Sequence, residues 1–122
     1  MQDIVIALVK EPNGVMDYLW AVHLINLKDE PITNVLVSVS GEGKNGEKTI
    51  TTRYFLESLL GNSSKQLEVI LPETMKLNHR YWVSFQEDGN MLDKRFMLEC
   101  ERFDDDLLDF IPLLNTLGIL VE

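Results

Sequence analysis

The sequence predicts an all-β domain of antiparallel strands that ends in a short segment of helical pattern. Three observations support this prediction. Apolar and polar residues alternate with a period of two along most of the chain, which is typical of strands with one buried face. Turn-forming residues interrupt the alternation about every ten residues, as they do in β-sandwiches and barrels. The 122 residues contain no internal repeat or linker, so we expect a single domain that spans residues 1–122.

About seven strands follow from this pattern, and each is justified by its composition and by the turn that ends it. Residues 4–10 are rich in Val and Ile and stop at the turn cluster 11–14. Residues 19–27 are almost wholly apolar, which suits a central strand that is covered on both faces. The glycine-rich residues 41–47 form the clearest loop. The predicted strands span residues 4–10, 19–27, 32–40, 48–55, 66–71, 81–86 and 94–101.

The C-terminal residues 103–122 follow a different pattern. Apolar side chains recur there at helical spacing, and the aspartates at 104–106 lie where the dipole of a helix N-terminus favours negative charge. Pro112 would break or kink such a helix. We therefore predict one or two short helical turns that end in an apolar tail, outside the sandwich of residues 3–101.

One local pattern resembles the immunoglobulin-like and fibronectin type III-like β-sandwiches. In these folds a loop leads into a strand whose corner tyrosine bonds through its hydroxyl to upstream backbone. The resemblance implies that Tyr81 is this tyrosine, that Leu77 plugs the loop and that Trp20 is a core tryptophan. It implies no catalytic residues, because these folds share no common active site. The pattern comprises Leu71-Pro72, Leu77 and Tyr81-Trp82-Val83.

The chain carries a formal net charge of −9, from 11 basic and 20 acidic residues. This balance argues against nucleic acid and membrane as partners, because both need a basic patch. Residues 99–122 hold seven of the acids and a single base, Arg102. The only cysteine, Cys100, cannot form an intrachain disulfide or a cysteine-based zinc site. We expect a cytoplasmic protein, because a lone thiol fits a reducing compartment and the N-terminal apolar run is too short for a signal peptide.

No pattern of catalytic residues stands out. Residues 41–48 lack the order of a phosphate loop and are interpreted as a hairpin turn, and the glycosylation sequon at 62–64 is interpreted as a polar turn. His23 lies in an apolar strand, where we expect a structural role, whereas His79 is predicted to be solvated in a connecting loop. Cys100 lies between two glutamates, which makes it a poor nucleophile, so we expect a structural thiol. The sequence thus predicts neither an enzyme nor a cofactor.

The acidic and then apolar C-terminal stretch leaves alternatives open. The acids at 99–109 are interpreted as a solvated, helix-capping run, with a calcium site as the alternative, although their spacing does not match an EF-hand. The apolar residues 107–121 either cover an open face or edge of their own sandwich or form an interface with another subunit or protein. The candidate interface residues are Leu107, Phe110, Ile111, Leu114 and Leu117.

Two functions from different classes fit these observations. The first is a non-enzymatic interaction or structural module that associates with a protein partner or with itself, for example as a homodimer. This association would use an edge strand or the C-terminal segment. The alternative is a ligand-binding module for a carbohydrate or a calcium-dependent ligand. An outward-facing aromatic residue would favour a carbohydrate, and Trp82 is the candidate because it alternates with Tyr81 and Phe85 along its strand.

Overall fold

The computed structural model describes residues 3–13 and 17–122 and shows an all-β fold of two antiparallel sheets. Within these ranges the chain forms nine strands and three short 3-10 turns. One sheet has five strands and the other has four, and the two sheets share one apolar core, as in a β-sandwich. None of the helical turns in the described ranges is long or apolar enough to cross a membrane.

The strands are numbered in chain order. They are β1 (Ile4–Asn13), β2 (Asp17–Asn26), β3 (Ile32–Glu42), β4 (Thr52–Leu59), β5 (Ser63–Ile70), β6 (Asn78–Glu87), β7 (Asn90–Leu98), β8 (Asp109–Ile111) and β9 (Thr116–Val121). The five-stranded sheet has the order β5-β2-β1-β9-β8, and the four-stranded sheet has the order β4-β3-β6-β7. The 3-10 turns are Pro72–Thr74, Cys100–Arg102 and Asp105–Leu107.

The core between the sheets is built from strand positions that the period-two pattern predicts to face inward. On β3, Val35, Val37 and Val39 are buried, while the residues between them are half-buried or exposed. Trp20 of β2 also lies in this core, as the resemblance implied. The other strands contribute alternate residues in the same way, among them Ile4, Ile6, Leu8, Val22, Leu24, Tyr81, Val83, Phe85, Phe96, Leu98, Ile119 and Val121.

A second apolar layer covers the outer face of the five-stranded sheet. It consists of alternate residues of β1 and one residue of β2, which point away from the main core and are nevertheless buried. The end of β8 and the turn after it lie over them. Burial on both faces explains why the sequence of β1 is almost continuously apolar. The layer comprises Val5, Ala7, Val9, Ile25 and Ile111, with Leu113 and Leu114 packed against it.

The predicted helical segment within residues 103–122 is wrong, because the chain from Asp109 onward forms a β-hairpin of β8 and β9. β9 pairs with β1 and thereby extends the five-stranded sheet. Pro112 lies in the turn between the two strands, and Asn115 closes this turn with a positive φ of 53°. The helical spacing of the apolar residues does not determine the structure here. Without β9, one edge of β1 would be unpaired, and pairing with β9 satisfies the backbone N–H and C=O groups along that edge. Helical geometry in this part of the described chain is limited to the turns Cys100–Arg102 and Asp105–Leu107.

Several strand boundaries differ from the prediction. β1 extends to Asn13, into the predicted turn cluster 11–14, and β5 begins at Ser63, within the predicted polar turn 62–64. β6 begins at Asn78 rather than at residue 81. β4 begins at Thr52 rather than at residue 48, because only an isolated bridge between Glu42 and Lys48 continues the β3–β4 pairing beyond it. β7 begins at Asn90 rather than at residue 94, directly after a hairpin turn at Asp88-Gly89, where both residues have positive φ. The all-β fold of two antiparallel sheets therefore follows the sequence, and the strand count rises from about seven to nine through β8 and β9.

The corner tyrosine departs from the expected contact. Tyr81 is only 1% exposed, and its hydroxyl donates to the carboxylate of Glu68 on β5 instead of to upstream backbone. Tyr54 of β4 donates to the same carboxylate. Burial, reinforced by the negative charge of Glu68, raises the pKa of both tyrosines. Leu77, the predicted loop plug, is buried.

Candidate functional site

A groove lies on the outer face of the four-stranded sheet. The strand register places Arg53 of β4, Ser38 of β3, Trp82 of β6 and Arg95 of β7 side by side in one row across the sheet. Adjacent strands are about 4.8 Å apart, so this row extends over about 14 Å. Four residues from separate parts of the chain thus meet on one surface.

Small residues of β3 form the floor of the groove. Ser38 and Ser40 point outward, because Val37 and Val39 face the core. The larger side chains of β4 and β6 stand on either side of these serines, about two strand spacings or ~10 Å apart. The resulting cavity has a volume of about 610 Å³, which is within the range of small-ligand sites.

Positive charge dominates the groove. Arg53, Arg80 and Arg95 line it, and they are three of the four arginines in the chain. Arg80 pairs with Glu42 at 3.3 Å, whereas Arg53 and Arg95 form no ion pair within the described residues. No carboxylate from the described part of the chain lines the groove. A protein of net charge −9 therefore presents one local surface that favours anions.

Trp82 is held in a fixed position beside the serine floor. Its Nε1–H donates to Oδ2 of Asp93 at 2.8 Å, and the Arg95 guanidinium lies over the ring with its Cζ 4.7 Å from the centroid. The side chain nevertheless remains 47% exposed. β7 places Arg95 on one side of Trp82, and the residue directly opposite Trp82 on the other side, on β3, is the small Ser38. The expected outward direction of Trp82 is thus observed.

The groove can bind and orient an anion through its guanidinium and hydroxyl groups. Guanidinium groups bind carboxylate, sulfate and phosphate through paired hydrogen bonds. The hydroxyls of Ser38, Ser40 and Thr51, which also line the groove, can donate and accept. The lining contains no histidine or cysteine from the described residues. In the same residues no group of three or more His, Cys, Asp or Glu side chains is placed to hold a metal ion.

The predicted interface residues divide into two groups. Ile111 is buried and Leu114 is half-buried, and both belong to the layer over the five-stranded sheet. Leu107, Phe110 and Leu117 are exposed, and Phe110 lies directly opposite Leu117 in the β8–β9 pair. The C-terminal segment therefore covers its own sandwich with part of its apolar surface and leaves the rest exposed.

The acidic residues before this hairpin are exposed, and some of them have structural partners. Lys10 pairs with Asp105 at 2.8 Å, which ties the segment to β1. The Asp104 carboxylate accepts from the backbone N–H of Asp106 at the start of a 3-10 turn. These contacts agree with the interpretation of a capping and solvated run.

The two histidines and the cysteine belong to other parts of the fold. His23 lies on β2 with Nε2 3.0 Å from the Glu11 carboxylate, which agrees with a structural role. His79 is the second residue of β6 and is 5% exposed, so the predicted solvated position is wrong. Its ring packs edge-on against Phe103, and burial lowers its pKa. Cys100 is half-buried, and its backbone N–H donates to Asn78.

Sequence reasoning missed the arginines of the groove. A weak signal was available, because Arg53 and Arg95 fall within predicted strands and Ser38 lies on the polar face of another. Their meeting depends on the order in which the strands pair, which alternation alone does not specify. Comparisons with protein-family models, curated proteins and solved structures give no match for this chain.

Proposed function

We propose that this chain is a non-enzymatic binding module that takes an anionic ligand in the groove of its four-stranded sheet. The observation that carries the proposal is the row of Arg53, Ser38, Trp82 and Arg95. This row supplies two guanidinium groups without ion pairs in the described residues, an exposed indole and a small polar floor. A ligand site typically combines such an aromatic contact with a few placed polar groups.

The strand order supports the finer prediction of an immunoglobulin-like sandwich. In constant-type domains the first, second, fourth and fifth strands form one sheet, and the third, sixth and seventh form the other. Here β1, β2 and β5 share one sheet, and β3, β6 and β7 share the other. The fourth strand differs, because β4 pairs with β3. We infer an Ig-like sandwich in which the fourth strand has changed sheets and a C-terminal hairpin has been added.

The lone thiol of Cys100 fits a cytoplasmic location.

The binding proposal is tested by thermal unfolding in the presence of inorganic phosphate, citrate or a capped triglutamate peptide. A ligand that binds only the folded state stabilises it by about 2.7 kcal/mol at 100 times its Kd, which raises the melting temperature by several degrees. We expect at least one of these anions to do so. The double variant Arg53→Ala/Arg95→Ala should lose the response.

The matched control is Lys65→Ala/Lys76→Ala, which removes the same charge from exposed residues outside the groove. It should respond as the unmodified chain does. Equal responses of the two double variants would show that only net charge matters and would contradict a site in the groove. No response of the unmodified chain to any of the anions would contradict the proposal as a whole.

Self-association through the C-terminal hairpin is a second candidate. It is favoured by the exposed cross-strand pair Phe110 and Leu117, because an edge strand with apolar side chains is a site for pairing with another chain. Sedimentation velocity over a range of concentrations tests this candidate. We expect a dimer that the variant Phe110→Ser/Leu117→Ser converts to monomer; a monomer at every concentration would contradict it.

A further inference from the structure

The aromatic contact in the groove identifies one part of the ligand. The Trp82 ring is about half exposed, although its only polar atom already has a partner in Asp93. What this side chain offers a ligand is therefore an apolar ring surface. A saccharide ring presents an apolar C–H surface of matching shape on one side and hydroxyls around its edge. Such a ring can pack against a rigid aromatic side chain at a small cost in conformational entropy.

The floor of the groove identifies a second part. The outward positions on β3 are Ser38 and Ser40, and Thr51 adds a further hydroxyl to the lining. Each hydroxyl can both donate and accept, so together they match the hydroxyl groups at the edge of a sugar ring. A simple inorganic anion could accept from these hydroxyls but would leave the indole ring unused.

The guanidinium groups identify the third part. Arg53 lies across the serine floor from Trp82, and Arg80 lies in the neighbouring row on the same strand as Trp82. A ring that packs against Trp82 thus has cationic groups on more than one side. The volume of about 610 Å³ also exceeds the requirement of a single small anion.

We propose that the ligand is an acidic saccharide, with a sugar ring against Trp82, its hydroxyls on Ser38 and Ser40, and its anionic group bound by the groove arginines. This inference rests on the proposed function and narrows the class of ligand. The anionic group is a carboxylate or a sulfate, both of which match the guanidinium fork. A short acidic saccharide fits better than a long nucleic acid, because the chain as a whole carries a charge of −9 and repels long polyanions.

The test is a set of calorimetric titrations of the full chain. The probes are trigalacturonate, its neutral methyl ester, a heparin-derived tetrasaccharide, capped triglutamate and a single-stranded oligonucleotide. We expect trigalacturonate or the heparin fragment to bind at least about tenfold more tightly than both the methyl ester and triglutamate. Tighter binding of trigalacturonate, which has carboxylates and no sulfates, indicates a carboxylate, whereas tighter binding of the heparin fragment, which carries both groups, indicates that sulfate contributes.

Variants of exposed aromatic residues test the contact with the ring. Trp82→Ala should weaken binding of the acidic saccharide at least about tenfold, and Trp82→Leu should not restore it, because it supplies bulk without a flat ring. The matched control is Phe55→Ala, since Phe55 is exposed on the outer face of the same sheet but does not line the groove. It should bind as the unmodified chain does. Urea unfolding of each variant establishes that it is folded.

The outcomes distinguish failure of the saccharide inference from failure of the proposed anion-binding site. If triglutamate binds as tightly as the acidic saccharides and Trp82→Ala has no effect, the ligand is an anion without a ring, and only the saccharide inference is overturned. Tightest binding by the oligonucleotide would overturn the same inference in favour of nucleic acid. If the neutral ester binds as tightly as trigalacturonate, or if no probe binds, the anionic ligand itself is contradicted.

Discussion

The hydroxyl of Tyr81 donates a hydrogen bond of 2.7 Å to the carboxylate of Glu68, and this contact joins the two sheets of the sandwich. Tyr81 lies on β6 and faces the core, on the opposite face of the four-stranded sheet from the groove. Glu68 lies on the edge strand β5 of the other sheet. Tyr54 approaches the same carboxylate from β4 at a longer distance of 3.3 Å. The contact therefore stabilises the side of the sandwich where the edge strands β4 and β5 meet.

Removal of this hydroxyl should destabilise the fold more than removal of its neighbour. Tyr81→Phe should lower the free energy of unfolding by about 1.5 kcal/mol, the lower end for a hydrogen bond to a charged group, because Glu68 remains partly accessible to water. Tyr54→Phe should cost less than about 0.5 kcal/mol, because its bond is longer. Urea unfolding measures both. An equal or larger effect of Tyr54→Phe would show that the Tyr81 contact is not the main link.

The buried imidazole of His79 should make stability depend on pH. Burial holds its pKa below the ordinary value of 6.5, and its Nδ1 has no hydrogen-bond partner among the residues that the structure describes. Below pH 6.5 the unfolded chain takes up a proton at this residue before the folded chain does. The contribution of His79 to the free energy of unfolding is therefore fully present above pH 6.5. It is lost as the pH falls toward the pKa of His79 in the folded chain.

The variant His79→Leu isolates this contribution. It keeps an apolar side chain of similar size against Phe103 and has no proton to bind. Urea unfolding of both proteins between pH 7.5 and 5 should show a smaller loss of stability for the variant as the pH falls. Parallel curves for the two proteins would mean that His79 does not titrate differently in the folded and unfolded chains.

Gly118 leaves the space that Ile111 needs to cover the five-stranded sheet. A Cβ at this position would lie 2.6 Å from the Ile111 Cδ1 and 2.9 Å from the carbonyl oxygen of Leu8. Gly118→Ala should therefore cost about 1–3 kcal/mol through overpacking. Ile111→Val removes the closer atom, so the double variant should be more stable than the sum of the two single effects predicts. If the two single substitutions have additive effects on the free energy of unfolding in urea, the strain does not arise from contact between residue 118 and Ile111.

The sandwich was predictable because burial of one sheet face imposes a period of two on the sequence. The same period gave the outward direction of Trp82, which follows from the inward direction of Tyr81. It could not give the pairing order that brings Arg53 and Arg95 into one row, because pairing is decided by contacts distant in sequence. The C-terminal hairpin was missed for a related reason, since the free edge of β1 is visible only in the folded sheet.

The central claim is that an anionic ligand binds in the groove of the four-stranded sheet. An NMR titration of the ¹⁵N-labelled full chain, first with triglutamate and then with trigalacturonate, tests it most directly. The chain has two tryptophans, one exposed and one buried, so their indole N–H signals provide an internal comparison. We predict shifts for the Trp82 indole and the amides of Ser38, Ser40 and Arg95, with the Trp20 indole and the hairpin of β8 and β9 unchanged. Larger shifts in that hairpin than in the groove, or no shifts with either probe, would contradict the claim.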